Sequence, residues 1–205
     1  GDVNGDGYSD VLLGINGIND IFIVHPIEKA MIFNGSNTTL STIECDWAVS
    51  SDQPDSKFGN SVSTAGDVNN DGFDDVIIGA PLYDNGQTDE GKVFEYNGSS
   101  EGLHDTPDWT AEGNIDLAQF GYSVSNAGDV NNDGYSDIII GAPTAGKAFV
   151  YLGSSAGLLS FPVWTGNSYS PDHQYGISVS NAGDVNSDGF DDIVIGTYPF
   201  EIYNA

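Results

Sequence analysis

The sequence has no arginine and only four lysines among 205 residues, so positive charge is almost absent from it. Against these lysines stand 31 aspartates and glutamates, which give a formal net charge of −27. Proteins that bind nucleic acid neutralise phosphates with clustered lysine and arginine side chains. The composition therefore excludes a nucleic-acid partner, and the same negative charge disfavours docking on an anionic membrane surface.

Disulfide bonds and membrane-spanning segments are also missing from the sequence. Cys45 is the only cysteine, and a single cysteine cannot form an intrachain disulfide. No run of apolar residues approaches the roughly 18 that a membrane span requires. No signal peptide is visible, but the chain begins at Gly1-Asp2, inside an acidic motif. We therefore interpret the N-terminus as processed or truncated.

What the sequence does contain is an acidic motif of nine residues that occurs four times. Oxygen-bearing side chains stand at its first, third, fifth and ninth positions, and glycine stands at its sixth. We name the copies loop 1 (residues 2–10), loop 2 (67–75), loop 3 (129–137) and loop 4 (184–192). The candidate side-chain ligands are Asp2, Asn4, Asp6 and Asp10; Asp67, Asn69, Asp71 and Asp75; Asp129, Asn131, Asp133 and Asp137; and Asp184, Asn186, Asp188 and Asp192.

Hard oxygen ligands in a short, sharply turned loop suit Ca²⁺, which takes roughly 6–8 oxygens. The sixth-position glycine permits the turn, which would direct a seventh-position carbonyl at the ion from Tyr8, Phe73, Tyr135 and Phe190. We therefore predict about one Ca²⁺ per loop, and up to four ions in all. A metal-free turn rich in Asp and Asn is the alternative.

An EF-hand is another reading of the same spacing, but it requires a glutamate at the twelfth position and a helix on each side. The twelfth positions here are apolar: Leu13, Ile78, Ile140 and Ile195. The ninth-position aspartate must therefore complete the site. A short β-branched run that ends at glycine follows every loop, which predicts a buried strand.

The repeat unit around each loop has four predicted strands. The loops begin 65, 62 and 55 residues apart, and a period near 60 with several strands indicates a β-propeller or a solenoid. A strand of small residues precedes the loop, the apolar strand follows it, and a third strand begins at a lysine. The fourth strand carries a tryptophan, and these tryptophans are Trp47, Trp109 and Trp164. They could stack on sugars, but their recurrence at the same position of each repeat favours packing between sheets.

A complete unit contains Phe-Gly, then D-x-N-x-D-G-x-x-D, then Gly-Ala-Pro. This series of motifs resembles the FG-GAP repeat of integrin α-subunit propellers and their bacterial and archaeal relatives. Phe58-Gly59 and Gly79-Ala80-Pro81 flank loop 2, and the same dipeptide and tripeptide flank loop 3. The resemblance implies a propeller, usually of about seven blades, with Ca²⁺ held between the first and second strands by the loop residues named above. The last unit departs from the pattern, because it reads Gly196-Thr197-Tyr198-Pro199.

The expected fold is all-β: four-stranded antiparallel blades of a β-propeller, in units at residues 1–51 (partial), 52–113, 114–168 and 169–205 (partial). We predict strands two to four in the first unit and one to three in the last, which ends with residues 200–203. A ring of about seven blades needs roughly 400 residues. We therefore expect an arc of about 3.5 blades, whose open edges pair with a missing segment or another chain.

No catalytic constellation is present, so we expect no enzymatic activity. The three histidines, His25, His104 and His173, fall in different phases of the repeat, and no serine lies in a G-x-S-x-G motif. We predict a calcium-stabilised adhesion or protein-interaction module that is secreted or at the cell surface, with a protein or glycan ligand. Two alternatives stay open: a structural subunit of a surface layer or filament, and a lectin-like or accessory domain of a larger secreted enzyme.

Overall fold

The computed structural model describes residues 1–18, 27–36, 45–168 and 173–198. Within these residues the chain forms thirteen β-strands. In chain order they are β1 (Val11–Ile18), β2 (Ile27–Phe33), β3 (Trp47–Val49), β4 (Ser61–Gly66), β5 (Asp75–Ala80), β6 (Lys92–Tyr96), β7 (Trp109–Glu112), β8 (Ser123–Gly128), β9 (Asp137–Ala142), β10 (Lys147–Tyr151), β11 (Trp164–Asn167), β12 (Ser178–Gly183) and β13 (Asp192–Gly196).

The strands form four antiparallel sheets in which sequence neighbours pair. Sheet I has the order β1-β2-β3, sheet II β4-β5-β6-β7, sheet III β8-β9-β10-β11 and sheet IV β12-β13. The prediction of an all-β protein with four-stranded antiparallel sheets is confirmed. The last predicted strand, at residues 200–203, and His25 lie outside the described residues. None of the helices in the described ranges is long and apolar enough to cross a membrane.

The second strand of each complete sheet lies at the centre of the fold. Every residue of β5 and β9 is buried, which explains why these strands are apolar without the alternation of a half-exposed strand. Ile78 packs in a core with sheet I, and Ile77 packs in a core with sheet III. Phe120 joins the second core and meets Phe149 edge-on, with ring centroids 5.4 Å apart. The sheets therefore stack face to face.

The first strands of successive sheets lie beside one another. β4 contacts β8, and β8 contacts β12. These are the strands of small residues, with the sequences SVSTAG, SVSNAG and SVSNAG. Small side chains suit first strands that lie beside one another in this way.

Two glycines fix the approach of sheet II to sheet III. A Cβ atom placed on Gly79 would collide with the carbonyl oxygen of Gly121. Gly121 itself has a φ of +85°, and its amide donates to the carbonyl of Gly141 at 3.0 Å. The left-handed backbone at the Phe-Gly motif and the small residue opposite it are both needed for this contact.

The predicted packing of the tryptophans holds for two of the three. Trp47 Nε1 donates to the carbonyl of His104 at 3.0 Å, and its ring lies edge-on to Tyr96. Trp109 Nε1 donates in the same way to the carbonyl of Leu159, at 3.1 Å. Trp164, by contrast, is 42% exposed. The residue of the last unit that matches Tyr96 and Tyr151 is Tyr203, which lies outside the described residues, so the packing of Trp164 stays a prediction.

Both end sheets expose apolar side chains. Val11 and Leu13 of β1 are 52% and 45% exposed. At the other end, Val185 and Val194 are 70% and 53% exposed. The residues that match Val185 in loops 1 and 2, Val3 and Val68, are almost fully buried. Their burial therefore depends on the sheet that follows.

Candidate metal centre

Loop 2 shows how the side-chain oxygens of the acidic motif hold the loop backbone. The two carboxylate oxygens of Asp67 accept hydrogen bonds from the amides of Asp71 at 3.0 Å and Gly72 at 2.8 Å. Asn69 Oδ1 also accepts from the Asp71 amide at 2.9 Å, and Asp71 Oδ1 accepts from the Phe73 amide at 3.1 Å. Loops 1 and 3 repeat these bonds, and loop 4 repeats those made by its first and fifth residues.

Left-handed backbone at two positions turns each loop. The fourth position is left-handed at Asn70 and Asn132, both with φ of 57°. The sixth-position glycine is left-handed in every loop, with φ between 87° at Gly7 and 94° at Gly72. A Cβ atom on either of these two glycines would meet no atom within 4 Å. Glycine is therefore needed there for its backbone conformation rather than for space.

The ninth-position aspartate ties loops 1, 2 and 3 to their own sheets. Asp75 is fully buried, with Oδ2 accepting from the Val68 amide and Oδ1 from the Gly98 amide, each at 2.8 Å. Val68 belongs to the loop, and Gly98 belongs to the turn after β6. Asp10 and Asp137 make the equivalent two bonds in their units. The sequence predicted this residue as a metal ligand only and missed its structural role.

The eighth position connects one loop to the previous loop. Asp191 Oδ2 accepts from the Asp129 amide at 2.9 Å, and the Asp191 amide donates to the Asp129 carbonyl at 3.1 Å. In loop 3 the eighth residue is Ser136, whose amide donates to the Asp67 carbonyl at 3.0 Å. The four loops therefore form one hydrogen-bonded row. An aspartate at the eighth position of loops 2 and 4 was the only signal of this contact in the sequence.

The carboxylates within a loop act on one another. Burial raises the pKa of Asp75 to about 7, and the charges of Asp71 and Asp67 raise it further against the lowering effect of its two backbone hydrogen bonds. Burial likewise raises the pKa of Asp137 to about 6, with a similar contribution from Asp133 and Asp129. A negative charge at the ninth position is therefore costly unless a cation offsets it.

The donor chemistry of the loops fits a hard cation. Each loop offers carboxylate oxygens, one amide oxygen and backbone carbonyls, which are the ligands that Ca²⁺ prefers. A carboxylate oxygen that accepts one amide hydrogen retains further acceptor capacity. Among the described residues, however, no three His, Cys, Asp or Glu side chains form a group arranged to hold a metal ion. Closure of each loop around Ca²⁺ therefore stays a prediction.

Comparison with known proteins gives matches to one repeat family. The FG-GAP repeat model matches residues 58–96, 120–158 and 175–203. Integrin alpha pat-2 of Caenorhabditis briggsae is 30% identical over 97% of this chain, and integrin alpha-8 of Gallus gallus is 34% identical over 72% of it. Human integrin alpha-6 is 34% identical over 69%. The chain spans only 17%, 15% and 12% of these three relatives.

Two solved structures share the fold. The rhamnogalacturonan lyase YesW aligns with a TM-score of 0.56 and 16% identity, over 96% of this chain and 39% of that one. The exotype rhamnogalacturonan lyase YesX aligns with a TM-score of 0.57 and 15% identity, over 96% and 37%. At such low identity, the likeness shows the fold alone.

Proposed function

This chain belongs to the FG-GAP repeat family, and we propose that sheets I–IV are an arc of about 3.5 propeller blades whose loops 1–4 bind Ca²⁺. The observation that carries the proposal is the repeated connection of every loop to a neighbour. Asp75 and Asp137 anchor their loops to the sheets, and backbone hydrogen bonds join each loop to the next. A cation bound in one loop would therefore stabilise the stacking of two blades.

In loop 2 the ion would be held by Asp67, Asn69, Asp71 and Asp75, together with the carbonyl oxygen of Phe73. The matching residues would hold an ion in each of the other loops. Bound Ca²⁺ supplies positive charge that offsets the repulsion among the three carboxylates. Because the folded loop binds the ion and the unfolded chain does not, the free energy of binding adds to that of folding.

We further propose that the segment acts outside the cell as a non-catalytic adhesion or protein-interaction module. Its similarity to integrin alpha subunits over most of its length supports this role. Extracellular calcium-binding modules typically have dissociation constants of about 10⁻⁴–10⁻³ M. Sites of this affinity are filled at extracellular calcium levels, which supports a secreted or cell-surface location.

The exposed end faces favour one alternative role, that of a subunit completed by its neighbours. Val11, Leu13, Val185 and Val194 expose apolar surface at positions that a further blade would cover. That blade would come from the rest of a longer chain or from a second chain. A filament or surface-layer subunit would form end-to-end polymers on addition of Ca²⁺, whereas a propeller segment completed within its own chain would not.

Calcium binding is tested by isothermal titration of the chain and of two loop variants. Asp71→Ala and Asp133→Ala should each bind one Ca²⁺ fewer than the wild type, because each removes the fifth-position ligand of one loop. Asp105→Ala is the matched control, since Asp105 is an exposed acid outside the loops. A wild-type chain that binds no Ca²⁺, or loop variants that bind as many ions as the control, would contradict the proposal.

The adhesion role is tested by coating beads with the folded chain. These beads should attach to cultured cells in the presence of Ca²⁺ and detach when a chelator is added. Albumin-coated beads measure non-specific attachment. Attachment no greater than theirs, with the chain shown to be folded by circular dichroism, would count against adhesion while leaving calcium binding intact.

A further inference from the structure

A cavity of about 490 Å³ lies between sheets II and III, on the side of their outer strands. Phe149 and Tyr151 of β10 line it from sheet III, and residues 110–114, in β7 and the turn after it, line it from sheet II. Phe161, another lining residue, is 60% exposed, so solvent reaches the cavity there. We call this space the outer cavity. Its volume falls within the roughly 300–1,000 Å³ of ligand pockets in proteins.

The matching place between sheets I and II is filled by a tyrosine of the chain itself. Tyr83 is 8% exposed, and its ring lies edge-on to Phe94 of β6 with the centroids 6.0 Å apart. The Tyr83 hydroxyl donates to Asp52 Oδ2 at 3.3 Å, and Lys92 Nζ lies 4.7 Å from the centre of the tyrosine ring. A ring, a side-chain oxygen and an ammonium group therefore hold one aromatic side chain in this contact.

The repeat register shows that the two places match. The phenylalanines of the third strands lie opposite equivalent isoleucines of the second strands. The polar residue of each place stands five residues after the tryptophan of the fourth strand, and the residue that matches the tyrosine stands two after the Gly-Ala-Pro proline. The matched pairs are Phe94 and Phe149, Asp52 and Asn114, and Tyr83 and Ala145.

A short connection leaves the outer cavity unfilled. Ten residues, 82–91, separate the proline from the lysine of the third strand in sheet II, but only three, 144–146, do so in sheet III. Phe149 keeps the edge-on contact with Phe120, as Phe94 does with Phe58. Among the described residues, however, no second ring contacts Phe149 as Tyr83 contacts Phe94. Phe149 is accordingly only partly buried, whereas Phe94 is buried.

Polar groups that could hold a phenol ring are nevertheless present beside Phe149. Asn114 Nδ2 donates to the Glu112 carbonyl at 3.0 Å, which leaves Asn114 Oδ1 as an acceptor for a hydroxyl group. Lys147 matches Lys92 and lies on the same face of β10 as Phe149, because side chains alternate along a strand. It stands opposite Asn167, where Lys92 stands opposite a glutamate. No carboxylate of β11 therefore lies across from its ammonium group.

We propose that the outer cavity binds a tyrosine side chain of a protein partner, in the position that Tyr83 takes between sheets I and II. The ring lies edge-on to Phe149, its hydroxyl donates to Asn114 Oδ1, and Lys147 lies beside it as Lys92 lies beside Tyr83. Among the described strands, β7 pairs with β6 alone. Its outer edge can therefore pair with the extended peptide that carries the tyrosine. This inference rests on the proposed interaction role and names the chemistry that the role would recognise.

Nuclear magnetic resonance titration of the isotope-labelled chain tests the cavity. The probe is a blocked peptide, acetyl-Ser-Thr-Tyr-Thr-Ser-amide, added at millimolar concentration in the presence of Ca²⁺. We expect saturable shifts at the residues that line the outer cavity, and little change with a peptide that has alanine in place of tyrosine. Equal shifts from the alanine peptide, no saturable shift at the cavity, or tighter binding of methyl galactoside there would overturn the inference.

Two variants separate recognition of the tyrosine from a general effect on the fold. Asn114→Ala removes the acceptor of the hydroxyl, so it should weaken the tyrosine peptide about fivefold and leave a matched phenylalanine peptide unchanged. Lys147→Met keeps the length of the side chain without its charge and should weaken both peptides. Asp105→Ala, outside the cavity, is the control. Folded variants that bind both peptides as the control does would contradict the proposal.

The bead assay distinguishes this inference from the proposed function. Beads that attach to cells although the chain binds no tyrosine peptide would overturn the inference and leave the adhesion role standing. Peptide binding at the outer cavity without attachment would support the inference and count against adhesion. Failure of both measurements would overturn both.

Discussion

Asp74 and Asp2, 72 residues apart in the chain, join loop 2 to loop 1 by two hydrogen bonds in opposite directions. Asp74 Oδ2 accepts from the Asp2 amide at 2.8 Å, and the Asp74 amide donates to the Asp2 carbonyl at 3.0 Å. Asp191 and Asp129 form the same pair between loops 4 and 3. An acidic residue that stands among candidate metal ligands therefore serves the contact between two sheets.

Replacing Asp74 with alanine tests this contact. The Asp2 amide would lose a charged acceptor, so the free energy of unfolding should fall by about 1–2 kcal/mol. The number of bound Ca²⁺ ions should not change, because Asp74 is not among the proposed ligands. Urea unfolding followed by tryptophan fluorescence measures the effect. The contact would be unimportant if Asp74→Ala proved as stable as the control Asp105→Ala.

The close approach of sheets II and III predicts a strong difference between two glycines. Gly79→Ala places a Cβ atom against the carbonyl oxygen of Gly121, and such overpacking costs about 1–3 kcal/mol. Gly196 stands at the same position of sheet IV, where the nearest atom to an added Cβ is Ser178 Cβ at 3.3 Å. Gly196→Ala should therefore be much milder. Equal losses of thermal stability in the two variants would contradict this account.

The tryptophans predict a similar contrast. Trp109→Phe removes the hydrogen bond from Nε1 to the Leu159 carbonyl and part of the contact with Tyr151. The free energy of unfolding should therefore fall by about 1–2 kcal/mol. Trp164 is 42% exposed, and its replacement by phenylalanine should change stability by less than about 0.5 kcal/mol. Chemical unfolding monitored by far-ultraviolet circular dichroism compares the two. A larger loss for Trp164→Phe would refute the contrast.

The exposed end face of sheet IV predicts self-association of the chain. Val194 is 53% exposed on β13, and Val194→Lys would place a charge in the contact between end faces. Sedimentation velocity should show a concentration-dependent increase in size for the wild type and a smaller one for this variant. Ile115→Lys, at an exposed residue of a surface loop, is the control. A wild type that stays monomeric at high concentration would argue against association through this face.

The local features of the fold were predictable from the sequence. The acidic motif, the glycine at its sixth position and the apolar run after it set the positions of β5 and β9. The alternation and spacing of the remaining strands gave four strands per complete unit, as the sheets show. These features follow from contacts within one repeat, so a pattern of a few residues is enough to indicate them.

Contacts between sheets were not predictable in this way. The pairing of Asp74 with Asp2, and the burial of Glu95, depend on how one sheet stacks on another. Because Trp164 and Trp109 occupy the same position in the repeat, the sequence predicted the same environment for both. The exposure of Trp164, however, depends on what covers sheet III. The double use of Asp75 was missed because its two amide donors come from the loop and from a distant turn.

Thermal unfolding in millimolar Ca²⁺ and in excess chelator tests most directly the claim that calcium in the loops holds the sheets together. A site at 100 times its dissociation constant adds about 2.7 kcal/mol to the stability of the folded state, and each kcal/mol raises Tm by roughly 2–4 °C in a domain of this size. We expect Tm to be several degrees higher in Ca²⁺ for every filled loop, and the gain to shrink in Asp71→Ala and Asp133→Ala. Superimposable unfolding curves in Ca²⁺ and in chelator would contradict the account.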